Sequence, residues 1–158
     1  ALLKKDSNLA TTQLPEALRK KALLAHRRPT PAIEALRTLK ECRPKDFPLR
    51  IGGTDSSDGL LEAINNLCQS SKCVAVLDRQ QLPIATNWPS GKAWDNWCLN
   101  GGEDFELVIS LPKAWANKWV KSNPTCQIIG YIEEGEPQIL WEHNRKEVLP
   151  NNCFEHFK

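Results

Sequence analysis

Apolar residues along this chain recur first at helical and then at strand spacing. Leu14, Leu18, Ala22 and Ala25 are three or four apart, and they predict a helix over 15–26, "PEALRKKALLAH", with one apolar stripe. "RRPTP" breaks that pattern. Thr30 followed by Pro31 then reads as the cap and first position of a second helix, with Ile33, Leu36 and Leu39 facing inward. Residues 43–48, "RPKDFP", read as a loop and 49–51 as a short strand. A third helix is expected over 59–69, with Leu60, Ile64, Leu67 and Cys68 inward.

"CVAVLD" (73–78) is a continuous apolar run, the mark of a strand buried on both faces. Residues 79–98 carry Pro83, Pro89 and Gly91 and read as irregular. "FELVISLP" (105–112) is a strand stopped by Pro112, and "KAWANKWVKS" (113–122) is a helix with Trp115 and Trp119 one turn apart. Strands at 126–132 and 137–143 flank an "EEGE" turn. This alternation predicts a layered α/β or α+β domain.

Composition adds limits. A chain of 158 residues, 41% hydrophobic and 25% charged, can bury a core without disulfide or metal staples. It has no run of eighteen apolar residues, so no membrane span is expected, and no leader peptide is visible. The six cysteines (42, 68, 73, 98, 126, 153) form no CxxC pair, and several lie inside apolar runs. They read as reduced core residues of a cytoplasmic protein. Residues 1–50 carry twelve Lys or Arg against five Asp or Glu. No aromatic residue is interleaved there, so the basic segment reads as a solvated helix face and not a nucleic-acid site. The chain starts Ala1-Leu2-Leu3 and contains no methionine, so it reads as part of a longer protein.

Two stretches carry chemistry. "GGTDSSDGLLEAI" (52–64) crowds Asp55 and Asp58 with Thr54, Ser56 and Ser57 at the mouth of a helix. One polar residue there is a helix cap. Two carboxylates beside two serines also suit a Mg²⁺-nucleotide site, because Mg²⁺ takes one or two carboxylates and leaves its other positions to water and phosphate. "NGGEDFELVISLP" (100–112) could be a glycine turn before a strand. It also resembles the GGDEF signature of diguanylate cyclases, but Glu103-Asp104 has the acidic pair misplaced and no DxDxFK segment lies upstream. Gly91-Lys92 lacks the remainder of a phosphate-binding loop. The histidines and cysteines share no zinc spacing, and no serine sits in a GxSxG elbow.

In chain order, "HRRPTP" (26–31), "DSSDGLL" (55–61), "NGGEDFEL" (100–107), "IIGYIEEG" (128–135) and "FEHF" (154–157) resemble thiamine-monophosphate kinase. That family belongs with aminoimidazole ribonucleotide synthetase and selenophosphate synthetase. The resemblance covers the family's C-terminal half. It implies a layered α/β/α domain of α+β class over 28–158, with a mixed, partly ferredoxin-like sheet like the C-terminal domain of aminoimidazole ribonucleotide synthetase. It also implies that residues 1–27 are a helical linker from an absent N-terminal ATP-binding domain.

The activity implied is transfer of the ATP γ-phosphoryl to thiamine monophosphate with Mg²⁺, in a homodimer when full length, with the fragment alone inactive. The roles implied are metal ligation by Asp55 and Asp58, an ATP contact from Ser57, and substrate contacts from Glu103 and Phe154. Ser56 matches no functional position and stands where the family usually has an apolar residue. Phe154 follows Cys153 where the family usually has glycine. Joining two phosphates asks for positioning and cancelled charge. Two other readings remain open from the residues: a different ATP-dependent enzyme of the superfamily, or a binding module without catalysis.

Overall fold

The computed structural model describes residues 14–84, 87–89 and 91–148. The elements in order are α1 (Glu16–Arg27), α2 (Ile33–Glu41), β1 (Gly52–Asp55), α3 (Leu60–Ser71), β2 (Cys73–Leu77), a 3₁₀ turn (Arg79–Gln81), α4 (Lys92–Asn100), β3 (Leu107–Ser110), α5 (Lys113–Ser122), β4 (Gly130–Glu134) and β5 (Gln138–Trp141). β1 and β3 form an antiparallel pair, with Gly52 opposite Ser110 and Asp55 opposite Leu107. A second, mixed sheet has the order β4-β2-β5, with β2 antiparallel to β4 and parallel to β5. The chain is therefore α+β, with a mixed sheet and helices.

β2 holds the centre because it is the most apolar strand, and an edge place would leave a row of its backbone groups unpaired. Val74 to Leu77 are all buried. One face, with Ala75 and Leu77, packs on Leu60, Leu61, Ile64 and Cys68 of α3. The other face, Val74 and Val76, packs on Leu140. The strands flanking "EEGE" therefore do not pair with each other, because β2 lies between them. β4 approaches β2 so closely that a Cβ on Gly130 would sit 2.1 Å from the Val76 carbonyl oxygen. A separate core joins α2 to α5. There Trp115 is fully buried and donates its indole N–H to Leu39 O (2.9 Å), while Trp119 donates to Ala35 O (3.1 Å).

The structure corrects several expectations. The strand expected at 49–51 lies three residues later, within the glycine motif itself; Leu49 and Ile51 are exposed. Glycine weakens a strand, but pairing with "LVIS" of β3 supplies what propensity lacks. β3 is shorter than 105–112, because Phe105 has a φ of 54° and leaves the extended region. Ala32, not Thr30, precedes α2, and no side chain caps it; Leu39 is buried, but Ile33 and Leu36 are exposed. α4 falls in the stretch read as irregular. Its signal was present, since Trp94, Trp97 and Cys98 are spaced i, i+3, i+4. The helix over 15–26 forms as α1, yet none of its residues is fully buried. Cys42 and Cys68 are buried, Cys73, Cys98 and Cys126 are partly so, and all five are free thiols. Cys153 lies outside the described residues. Among those residues no helix is long and apolar enough to cross a membrane.

Candidate active site

The antiparallel register fixes what meets at one end of the small sheet. β1 ends at Asp55 opposite the first residue of β3, so the turn 56–59 leaving β1 faces the loop 101–106 entering β3. Ser56 extends the ladder by one step: its N–H donates to Glu106 O (2.9 Å), and its hydroxyl accepts the Glu106 N–H (3.1 Å). Ser56 is only 4% exposed, so this side chain is part of the scaffold. The Glu103 N–H then donates to Ser57 O at 2.7 Å. The two stretches, separate in sequence, are thus stitched backbone to backbone.

Glycine is required for this approach. A Cβ on Gly102 would fall 2.7 Å from Ser57 O, and one on Gly101 would fall 2.5 Å from Trp97 O. Gly59 has a φ of 104°. It precedes α3 and supplies no side-chain cap. The structure therefore removes the capping reading for Asp55 and Ser57. Asp55 instead closes the turn locally, its Oδ1 accepting the Ser57 N–H at 3.0 Å.

Hydrogen bonds from the Ser57 hydroxyl and backbone N–H hold the exposed Asp55 carboxyl below its usual pKa. It is an anion at neutral pH. Asp58, also exposed, ends the same turn. Glu103 has a φ of 67°, a conformation that non-glycine residues adopt mainly where surroundings enforce it. His26, on the last turn of α1, places Nε2 3.4 Å from Glu103 Oε2. Protein atoms crowd the Asp104 carboxyl and raise its pKa, and the nearby His26 works in the opposite direction. Burial, with Asp104 and Asp95 nearby, pushes the Cys98 thiol up to about 12, and burial pushes Cys68 to about 11. Neither is a thiolate nucleophile at neutral pH.

The structure thus gathers Asp55, Ser57, Asp58 and Glu103 in one place. Phe154 lies outside the described residues. His26, which sequence reasoning left without a role, joins the group; it stands in the quoted "HRRPTP" stretch, but only the fold shows what it meets. Among the described residues no three His, Cys, Asp or Glu side chains converge as a metal site. A cleft of about 2110 Å³ is lined by residues that include His26, Ser56, Glu103 and Asp104.

No family model matches the chain. Among curated proteins it is 46% identical over 158 residues to the thiamine-monophosphate kinase of Prochlorococcus marinus, covering 99% of this chain and 47% of that protein. It is 35% identical over 146 residues to the thiamine-monophosphate kinase of Synechococcus elongatus, covering 91% of this chain and 44% of that one. The structure of AaThiL complexed with AMPPCP and TMP superposes with a TM-score of 0.66 at 25% identity, over 92% of this chain and 44% of AaThiL. The chain spans about half the length of the curated relatives it matches. The similarity spans nearly the whole of this chain, both stitched stretches included, and the relatives it matches are named thiamine-monophosphate kinase.

Proposed function

We propose that this chain is the C-terminal half of a thiamine-monophosphate kinase, which transfers the γ-phosphoryl of ATP to thiamine monophosphate and yields thiamine diphosphate. The observation that carries the reading is the 2.7 Å bond from Glu103 N–H to Ser57 O, which locks an acidic turn against an acidic loop. The AaThiL complex with AMPPCP and TMP supports both ligands. In this reading Asp55 and Asp58 hold Mg²⁺, Ser57 contacts ATP, and Glu103 and Phe154 contact thiamine monophosphate.

The ionised Asp55 beside Asp58 fits the donor set that Mg²⁺ takes from protein, one or two carboxylates. Bound there, the cation would supply charge cancellation between the two phosphates. The chain's own residues do the positioning. The Ser57 hydroxyl and backbone N–H hold the Asp55 carboxylate, and the first-turn N–H groups of α3 present an anion-binding end beside it. The Ser57–Glu103 stitch keeps the Glu103 backbone at a fixed offset from the proposed metal ligands.

Two carboxylates hold too little Mg²⁺ to cancel the charge of two reacting phosphates, so in this reading the remaining metal ligands belong to an N-terminal ATP-binding domain. Residues 1–27 are the linker from it and 28–158 the C-terminal domain. The two sheets then lie within a layered, partly ferredoxin-like α/β/α domain of a cytoplasmic homodimer.

Release of ADP is the test, measured on a protein that joins this chain to the rest of its length. Turnover should require ATP, Mg²⁺ and thiamine monophosphate, and this chain alone should show none. Asp58→Asn should lower kcat about a hundredfold or more, the scale of several kcal/mol of lost charge stabilisation. Turnover indifferent to thiamine monophosphate would overturn the assignment.

A further inference from the structure

We infer that His26 is a positioning residue for Glu103, its imidazole on the last turn of α1 holding the carboxylate of the loop 101–106 in its working orientation. The inference rests on the reading that Glu103 contacts the substrate. Three observations carry it. The backbone of Glu103 is fixed, by a φ of 67° and by its N–H bond to Ser57 O, while its side chain is 62% exposed and otherwise free to change rotamer. The imidazole meets that side chain from outside the loop, with Nε2 3.4 Å from Oε2. Finally, α1 has no fully buried residue, so a contact near its end does more than repeat a packing constraint already present.

The arrangement gives each partner a task. The 101–106 loop, with Gly101 and Gly102 at its start, can place the Glu103 Cα but cannot select the rotamer of its side chain. A contact from a separate element, the His26 imidazole 3.4 Å away, selects it, and the substrate then meets a carboxylate whose rotamer freedom is already restricted. In return Glu103 tethers α1 to the substrate loop.

Steady-state kinetics with varied thiamine monophosphate, on the protein joining this chain to the rest of its length, test the inference. His26→Ala should raise KM for thiamine monophosphate about fivefold, the scale of one partly exposed ion pair, with kcat within about twofold. His26→Gln keeps an N–H donor and should return KM to within about twofold of the parent. Trypsin cleavage after Arg19, Lys20 and Lys21 should speed up equally in His26→Ala and Glu103→Gln and no further in the double variant, as expected of two residues acting through one contact. If Glu103→Gln raises KM while His26→Ala leaves it unchanged, the positioning role is wrong and the substrate reading stands. If neither variant moves KM, Glu103 is not a substrate contact and both readings fall. A loss of kcat alone in His26→Ala also overturns the inference.

Discussion

Gly102→Ala tests the stitch between the two loops with the smallest possible change. The residue has no unusual φ, so the objection to alanine there is purely steric. The added Cβ would lie 2.7 Å from the Ser57 carbonyl oxygen, and ordinary contact begins near 3.4 Å, so roughly 0.7 Å of backbone movement is needed (3.4 − 2.7). Neither side yields freely, since the neighbouring Glu103 N–H is bonded to that same oxygen at 2.7 Å. Overpacking of this kind costs about 1–3 kcal/mol, and losing the hydrogen bond costs about 0.5–1.5 kcal/mol. A total of about 1.5–4.5 kcal/mol, at about 2–4 °C per kcal/mol for a chain of this size, lowers Tm by about 3–18 °C in differential scanning calorimetry. Gly53→Ala is the matched control: a Cβ there meets Val108 O at 3.5 Å and Ile109 Cγ1 at 3.6 Å, which is ordinary contact. It should be neutral or stabilising by about 0.4–1 kcal/mol through the unfolded state. If Gly102→Ala melts within about 1 °C of the parent, the loops do not interlock through Ser57 O. If Gly53→Ala is the damaging substitution, the register of β1 is wrong.

Ser56→Ala should destabilise by about 0.5–1.5 kcal/mol in urea unfolding, because the part-buried bond from the Glu106 N–H to the Ser56 hydroxyl is lost. An equal Cm for parent and variant would remove Ser56 from the scaffold. Ser57→Ala should move the Asp55 titration, followed by carboxyl ¹³C NMR, to higher pH, since the Ser57 hydroxyl is the largest cause of its lowered pKa. The sign for stability follows. A carboxyl whose folded pKa is depressed stabilises the fold above its unfolded pKa, and that contribution is lost as pH falls through the folded value. The Ser57→Ala protein should therefore lose less stability than the parent across that acid range, and an unchanged Asp55 titration would refute the cause.

Periodicity along the chain was enough to specify α1, α3, β2 and α5, because burying those apolar stripes is favourable in any compact arrangement. Local composition marked the two candidate stretches, since "DSSDG" and "NGGED" stand out from their surroundings. Neither signal says which residues meet. β1 coincides with glycines that propensity would place outside a strand, and only the partner β3 makes them one. β2 separates β4 from β5 because its buried backbone N–H and C=O groups need partners on both edges, a demand settled between distant segments. Ser56 read as a residue without a role, and its role exists only opposite Glu106, 50 positions away. His26 reads as one basic residue among several, until α1 sets it beside Glu103. Local pattern reports what each segment must bury. Register and close approach depend on pairs of residues far apart in sequence, and those pairs are decided when the layers pack.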